Sequence, residues 1–493
     1  MRAISVPPHS VSAGPSNLCA PEARKFILAA AILASSLGFI DGSMVAIALP
    51  AMRASLDGSL VQAQWISNAY MLGLSALILV GGAAGDRFGL ARVFSYGIML
   101  FVIASIACAL APTAEILIVA RGIQGVGAAF MVPGSLALIS RAYPKAERGR
   151  AIGIWASAAA VTSALGPIIG GLAMTSGGPE TWRWIFGINL PLGAIALYLL
   201  WTRVARDQAQ SQRGIDVAGG LLATIGLGLF ALALTGAEHG QAVDGQALTL
   251  GLIAIAACAL FLLVEARSAH PMMPLGLFRN SGFSAANGVS FLIYFAFSAI
   301  LFYLPMTVIG GWGVTEIETA AAFAPLSVFI AALSGAAGRW ADKFGPGPLL
   351  AGGSLVLSIG YGALALVIPS QNFWGAVMPA MCFQGIGMGL VVAPLSTAIM
   401  GAVESEATGI ASGINNAVTR MAGLIAVAAM GSVVAITYTA ANGPDSFGAM
   451  VADPAHAIAT NAAFSQVAWI ACVLCILSAI ASALWVPRRS RSA

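Results

Sequence analysis

Along this chain, apolar positions gather into long runs and polar positions fall in short breaks between them. Fourteen runs stand out, roughly 26–50, 62–84, 92–111, 115–139, 150–173, 182–201, 216–235, 246–266, 281–308, 319–341, 347–369, 373–400, 409–437 and 462–486. A helix of about 20 apolar residues crosses the hydrocarbon core of a bilayer, and in lipid a helix satisfies all of its own backbone hydrogen bonds. The pattern predicts an all-α polytopic membrane protein with fourteen transmembrane helices. The first run is too long for the apolar core of a signal peptide and reads as a retained span. Ahead of it, residues 1–25 carry Pro7, Pro8, Gly14 and Pro15 and read as a disordered cytoplasmic tail.

The breaks are not equivalent. Arg87 and Arg92 follow the second run, and Arg141, Lys145, Arg148 and Arg150 the fourth. Arg203, Arg206 and Arg213 follow the sixth, Arg267 and Arg279 the eighth, Lys343 the tenth, and Arg488, Arg489 and Arg491 the last. The alternate breaks hold little beyond Arg53 and Arg183. Basic residues mark cytoplasmic loops, so an even number of spans with both termini cytoplasmic is expected, in the plasma (inner) membrane.

Composition agrees: the 493 residues are 59% hydrophobic and 9% charged, with net charge +4, where a soluble chain carries about 25% charged residues. The positive balance follows from topology and does not indicate a nucleic-acid partner. Most of the six cysteines lie in apolar runs; Cys472 and Cys475 are spaced CxxC, but inside a span they read as small hydrophobes.

An internal repeat sets the architecture. Gly82-Ala-Ala-Gly-Asp86-Arg87-Phe88-Gly89 returns 256 residues later as Gly338-Arg-Trp-Ala-Asp342-Lys343-Phe344-Gly345. Gln124-Gly-Val-Gly127 returns after 260 as Gln384-Gly-Ile-Gly387, Leu49-Pro50 after 255 as Leu304-Pro305, and Gly149/Gly153 after 260 as Gly409/Gly413. Two six-helix bundles follow, 26–202 and 281–487, joined by a linker, 203–280, that carries the inserted seventh and eighth helices; a basic tail, 488–493, closes the chain. Parallel duplication of a six-helix half is the architecture of secondary transporters that alternate access across the seam between the halves.

Within the fifth run, Gly153–Gly171 has no charge and little bulk. Gly153, Thr162, Gly166 and Gly170 recur at helical spacing, Gly171 follows, and Pro167 removes one backbone hydrogen bond. Such a face admits a neighbouring helix closely. It serves either ordinary packing or a hinge.

Among the acids, only Asp41 lies deep in a span. A carboxylate at the centre of a membrane helix costs about 2.5–3.5 kcal/mol and needs a partner, a cavity or a proton. Arg121 is the natural partner: Asp41 lies about 13 Å, and Arg121 about 9 Å, from the outer ends of their spans at 1.5 Å per residue. Burial favours the neutral acid and Arg121 the ionised one, so a helix shift that alters their separation would make a proton switch. A buried acid merely satisfied by Ser43 or a neighbouring helix is the other reading. Asp86, Arg87 and Arg92, with Gly82 and Gly89, and Asp342 and Lys343, with Gly338 and Gly345, would form a cytoplasmic gate, or be solvated loop charges. Cavity candidates are Gln124, Asn287, Tyr294, Gln384, Asn416 and Arg420, with Phe291 and Trp65 as aromatic faces.

These motifs resemble the major facilitator superfamily, in particular its fourteen-helix drug:proton antiporters. Gly82–Arg92 is similar to the loop motif between helices 2 and 3, Arg121-Gly-Ile-Gln-Gly125 to the helix 4 motif, and Gly153–Gly171 to the helix 5 signature of export by antiport. Ile40-Asp41-Gly-Ser-Met-Val-Ala-Ile-Ala-Leu-Pro50 and Trp182-Arg-Trp-Ile-Phe-Gly-Ile-Asn189-Leu-Pro191 resemble the fourteen-helix group. Thr162 replaces a usual Gly, Leu90 and Ala91 a usual basic pair, and Ile309 a frequent Gln. The resemblance implies proton-coupled export of small lipophilic or cationic compounds, drugs among them, by a monomer in the bilayer that needs no cofactor; export of an endogenous metabolite, or uptake by symport, is the alternative. An accessory envelope partner is left open.

Rival classes lack their chemistry. No lysine follows a glycine, so no phosphate-binding loop is present. The four histidines, His9, His239, His270 and His456, fall outside the expected spans, which removes the base or metal ligand of a membrane hydrolase.

Overall fold

The computed structural model describes residues 23–177, 180–204, 216–235, 245–268, 271–404 and 407–487. The expected tail before residue 23, Arg206 and Arg213, His9, His239 and His270, and the basic tail after 487 lie outside the described residues.

Fourteen helices are long and apolar enough to cross a membrane: α1 Arg24–Ser55, α2 Leu60–Phe88, α3 Leu90–Ala109, α4 Ala114–Ala142, α5 Glu147–Ser176, α6 Trp182–Arg203, α7 Val217–Thr235, α8 Gly245–Arg267, α9 Ser281–Gly311, α10 Glu316–Phe344, α11 Pro346–Ser370, α12 Phe373–Gly401, α13 Thr408–Ala440 and α14 Pro454–Trp485. Each coincides with one apolar run. Their ends follow local chemistry. The Ser59 and Thr315 side chains form capping boxes with Gln62 and Glu318 at the starts of α2 and α10. Gly89 and Gly345, at φ 102° and 83°, turn the chain between α2 and α3 and between α10 and α11; left-handed backbone favours glycine there in both repeat copies.

One boundary departs from expectation. α14 starts at Pro454, not near 462, because the Asp453 side chain accepts from the Ala455 amide and Pro454 fits the first turn. His456 therefore lies inside a helix, buried, with Nδ1 2.6 Å from the Tyr438 hydroxyl, where the sequence had placed it outside the spans. The polar Asp-Pro-Ala-His start hid the first two turns from a reading based on apolar runs.

The helices pack as two six-helix bundles with an inserted pair. In the first bundle α1 packs on α5 and α6, and α4 on α2 and α3; in the second α9 packs on α13 and α14, and α12 on α10 and α11. The seam has the same twofold logic, α2 against α13 and α5 against α10. The inserted helix α7 packs on its partner α8 and leans on both α2 and α13. Asp216 accepts from the Gly219 amide at the start of α7, and Glu265 at the end of α8 accepts from the Met273 amide.

Small residues set the depth of packing. A Cβ on Gly125 would stand 2.2 Å from the Tyr70 carbonyl oxygen, and one on Gly81 2.2 Å from that of Ala129. α2 and α4 thus touch backbone to backbone, which bare glycine surfaces permit in a membrane interior. That contact brings Arg121 and Gln124 against α1 and α2.

Candidate functional site

Asp41, in the middle of α1, is wholly buried, and Arg121 of α4 is 1% exposed. Arg121 Nη1 donates to Asp41 Oδ2 at 2.5 Å and to Gln124 Oε1 at 2.5 Å, while Nε donates to the Ile66 carbonyl at 3.1 Å. Gln124 lies one turn from Arg121 on the same face of α4, and its Nε2 donates to Asp41 Oδ1 and to Ser105 Oγ, both at 2.9 Å. Asn189 of α6 donates to the same two oxygens, at 3.4 and 3.2 Å. The guanidinium lies 4.4 Å from the centre of the Tyr70 ring and 5.7 Å from that of Phe186, positions suited to cation–π attraction.

This is a closed polar network in an apolar bundle. The ion pair answers the cost of burying each charge, and the amides and the hydroxyl occupy lone pairs that a bare pair would leave unmet. It is also the only ion pair among the described residues with both partners buried. The geometry can do one thing chemically: a proton arriving on Asp41 would cancel the carboxylate and leave Arg121 as an uncompensated cation.

The pair adjoins the seam. A cavity of about 70 Å³ is walled by α1, α2 and α4 on one side and by α9 and α13 on the other, with Tyr70 and Arg121 in its lining. Arg121 thus touches Asp41 behind it and the inter-bundle space in front.

Hydrogen bonds across the seam are confined to one half of the molecule. The Gln64 Nε2 donates to Tyr303 and to the Val427 carbonyl, Arg53 to the Phe447 carbonyl and Ser446, Thr175 to Glu316, and the Ile317 amide to Thr175. All of these lie in the half away from the basic loops, the far end. A Cβ on Gly431 would fall on the Gln64 amide, so a bare backbone there admits the bridge. At the opposite, basic end no hydrogen bond or ion pair spans the two bundles among the described residues, and Gly149 and Gly153 of α5 face open space. The hydrogen bonds thus join the bundles at the far end, while toward the basic end the described residues meet by packing, Leu79 of α2 against Gly413 of α13.

The structure sorts the remaining expected residues. On the glycine face of α5, Gly166 meets Ser43 and Gly170 meets Met44 of α1, while Gly171 meets Glu316, Ile317 and Ala320 of α10. Pro167 lies within the unbroken α5 helix. Only Gly171 of that face contacts the opposite bundle; Gly166 and Gly170 pack within their own. Asp86, Arg87, Asp342 and Lys343 are exposed at the basic end, as is Arg92. Asp86 pairs with Arg141 of its own bundle at 2.6 Å. Gly82 has open space around it, and Gly338 lies at ordinary distance from Ala393.

The six cavity candidates divide. Gln124 belongs to the ion-pair network rather than to the cavity wall. Gln384, its repeat counterpart on α12, is 1% exposed, and neither of its amide atoms finds a protein partner. Asn287 is buried, donates to the Phe283 carbonyl and accepts from Asn415. Asn416 is exposed, and Tyr294 and Arg420 are half-buried. Of the aromatic faces, Trp65 donates to Thr235 of α7 and packs in the α2–α7–α13 contact. Sequence reasoning missed Ser105, Tyr70 and Phe186, and it quoted Asn189 without a role. A polar residue inside an apolar run was the available signal for Ser105 and Asn189; Tyr70 and Phe186 look like any aromatic in a span.

Known proteins resemble this chain in sequence and in fold. The family model described as Major Facilitator Superfamily matches residues 31–428 and 288–493. A methylenomycin A resistance protein of Streptomyces coelicolor is 33% identical over 408 residues, 82% of this chain and 85% of that protein. The multidrug resistance protein Stp of Mycobacterium tuberculosis is 33% identical over 410 residues, 82% of this chain and 75% of its own. Among solved structures, a bacterial homologue of the human lysosomal transporter Spinster superposes with a TM-score of 0.67 at 18% identity, over 96% of this chain and all of that one.

Proposed function

Because this chain belongs to the major facilitator superfamily and is a multi-pass membrane protein, we propose that it exports small lipophilic compounds, drugs among them, in exchange for protons. The observation that carries the proposal is the Asp41–Arg121 pair, wholly buried yet bordering the inter-bundle cavity. A proton on Asp41 and cargo in the cavity exclude each other, so a proton moving in drives cargo out. One charge crossing 100 mV is worth about 2.3 kcal/mol, enough for roughly a 50-fold gradient. The curated relatives named for resistance support export, and the buried pair supports proton coupling. Export of an endogenous metabolite would use the same geometry.

In this reading the basic end faces the cytoplasm, by the distribution of arginine and lysine, and the structure is the inward-facing form. The chain works as a transporter without a reaction of its own, as a monomer in the plasma membrane. Gly171 is the joint on which α5 moves against α10, while Gly166 and Gly170, beside Pro167, seat α5 against α1 of its own bundle. Asp86 and Asp342 are gate acids: acids gain nothing from the rule that places basic residues inside, and Arg141 holds Asp86 while the gate stands open. Asp86→Asn is expected to slow efflux severalfold by weakening closure of the basic end; unchanged efflux by that variant removes the gate role.

The test of the function is an efflux screen in cells that express or lack the protein, using lipophilic cations and neutral antibiotics with and without a protonophore. Lower accumulation of at least one compound, restored by the protonophore, is expected. Accumulation that ignores the protonophore would overturn proton coupling.

A further inference from the structure

The inserted helix pair carries two acids that the network above does not use. Asp216 stands at the start of α7, where its Oδ1 accepts from the Gly219 amide at 2.7 Å. Glu265 stands in the last turn of α8 and is 2% exposed. Its Oε2 accepts from the Met273 amide at 3.0 Å, in the segment that leads into α9. Each acid thus gives one oxygen to a backbone amide. The other two oxygens, Asp216 Oδ2 and Glu265 Oε1, are buried and have no protein partner. They border one small space: a Cβ on Gly219 would stand 3.1 Å from the first and 2.9 Å from the second. Bare backbone at Gly219 is what lets the two carboxyls approach.

Two ionised carboxylates so placed repel each other, and burial removes the water that would screen them. Among the described residues no cation pairs with either acid. The start of α7 rests on apolar side chains, Val80 and Leu77 of α2 beside Gly220. α7 has no ionisable side chain of its own, and α8 adds only Cys258 and the exposed Arg267. Of the helices on which α7 packs, α2 brings Asp86 and Arg87, both exposed, and Tyr70, which lies against Arg121. α13 brings only Arg420, twelve residues from its start, and the segment 271–280 only the exposed Arg279. The helix ends decide between the two acids. The N-terminus of α7 favours a negative charge on Asp216, whereas the last carbonyls of α8 disfavour one on Glu265.

We propose that Glu265 is protonated at neutral pH and donates from Oε1 to Asp216 Oδ2, which gives the inserted pair a proton site of its own. One proton satisfies both open oxygens, leaves a single negative charge at a helix N-terminus, and makes a charge-assisted hydrogen bond. It fastens the start of α7 to the end of α8 and, through Met273, to the entry of the second bundle. Loss of the proton sets two carboxylates against each other and loosens the pair at the basic end. The site is separate from the Asp41–Arg121 pair and does not depend on proton transfer there.

The test uses the full chain in lipid nanodiscs and reads the carbonyl stretch of protonated carboxyls in difference infrared spectra. Spectra are taken from about pH 6 to about pH 9, above the ordinary titration range of carboxyl groups. At neutral pH a protonated-carboxyl band is expected that Glu265→Gln removes and Asp41→Asn leaves in place. Asp216→Asn should remove the same band, because its amide nitrogen can donate to an ionised Glu265 while its oxygen still caps α7. The band should fade as pH rises, and the unsubstituted protein should then melt several degrees lower. Glu265→Gln, which stays neutral, should lose much less over the same range. Spectra with no band that Glu265→Gln removes, or a band that survives Asp216→Asn, overturn the shared proton. So does a melting temperature that sodium, magnesium or calcium chloride raises in the unsubstituted protein but not in Glu265→Gln, since a metal cation then stands in the place of the proton.

Discussion

Asp41→Asn is expected to abolish proton-driven export while leaving the protein inserted and folded. Asn is nearly isosteric with Asp and can still accept one hydrogen bond from the Arg121–Gln124 side, but it cannot take up or release a proton. Arg121 loses its counter-ion, which in a buried pair costs about 3–5 kcal/mol. It keeps the Ile66 carbonyl and Gln124 Oε1 as acceptors and the Tyr70 and Phe186 rings as neighbours, so the cost should fall near the lower end. Insertion depends on fourteen apolar helices, and a neutral residue in α1 favours it. The measurement is cargo flux in reconstituted vesicles under an imposed pH difference: the variant should match protein-free vesicles, and cargo exchange without a pH difference should persist. Wild-type flux driven by the pH difference would remove Asp41 from the mechanism.

How much of this could be read without a structure depends on which physical signal each feature leaves in one dimension. Apolar length is a strong signal, so all fourteen spans were legible, and the error came where α14 begins with polar turns. The repeat was legible because glycine at positive φ is demanded twice, at Gly89 and Gly345. The Asp41–Arg121 contact was legible because two opposite charges at similar depth in lipid have little alternative. Direction of packing was not. Whether Gly166 faces its own bundle or the other depends on the rotation of α5, and glycine leaves no side chain to mark its face. Gln384 shows the limit from the other side. Its repeat position equals that of Gln124, yet Met381 stands where Arg121 would be and Ala296 where Asp41 would be, so the same residue type in the same place lacks the charges that give Gln124 its task. The buried charge pair is accordingly found in the first bundle and not at the matching positions of the second.

Replacing Arg121 alone should be worse for the fold than replacing both members of the pair. Arg121→Met leaves the Asp41 carboxylate in an apolar bundle with two amides as its only donors. Removing one partner from a buried pair costs about 3–5 kcal/mol, chiefly because the remaining charge is unpaired, whereas replacing both by groups of similar volume is often neutral. Met fits the space and has no charge, so Asp41→Asn with Arg121→Met should recover about 3 kcal/mol of the loss. The two substitutions are then strongly non-additive, as contacting members of one network are. Arg121→Lys should not rescue, because one ammonium cannot reach the Ile66 carbonyl, Gln124 and Asp41 in the planar arrangement that the guanidinium supplies. Thermal unfolding in detergent, compared across the single and double variants, measures the coupling; pH-driven flux should be absent from the Arg121→Met and double variants alike. If the two costs simply added, the charges would not be acting as a pair. Recovery of the fold without recovery of flux would separate the two duties of the pair: its charges are compatible with a folded bundle, and their separation by a proton is what transport requires.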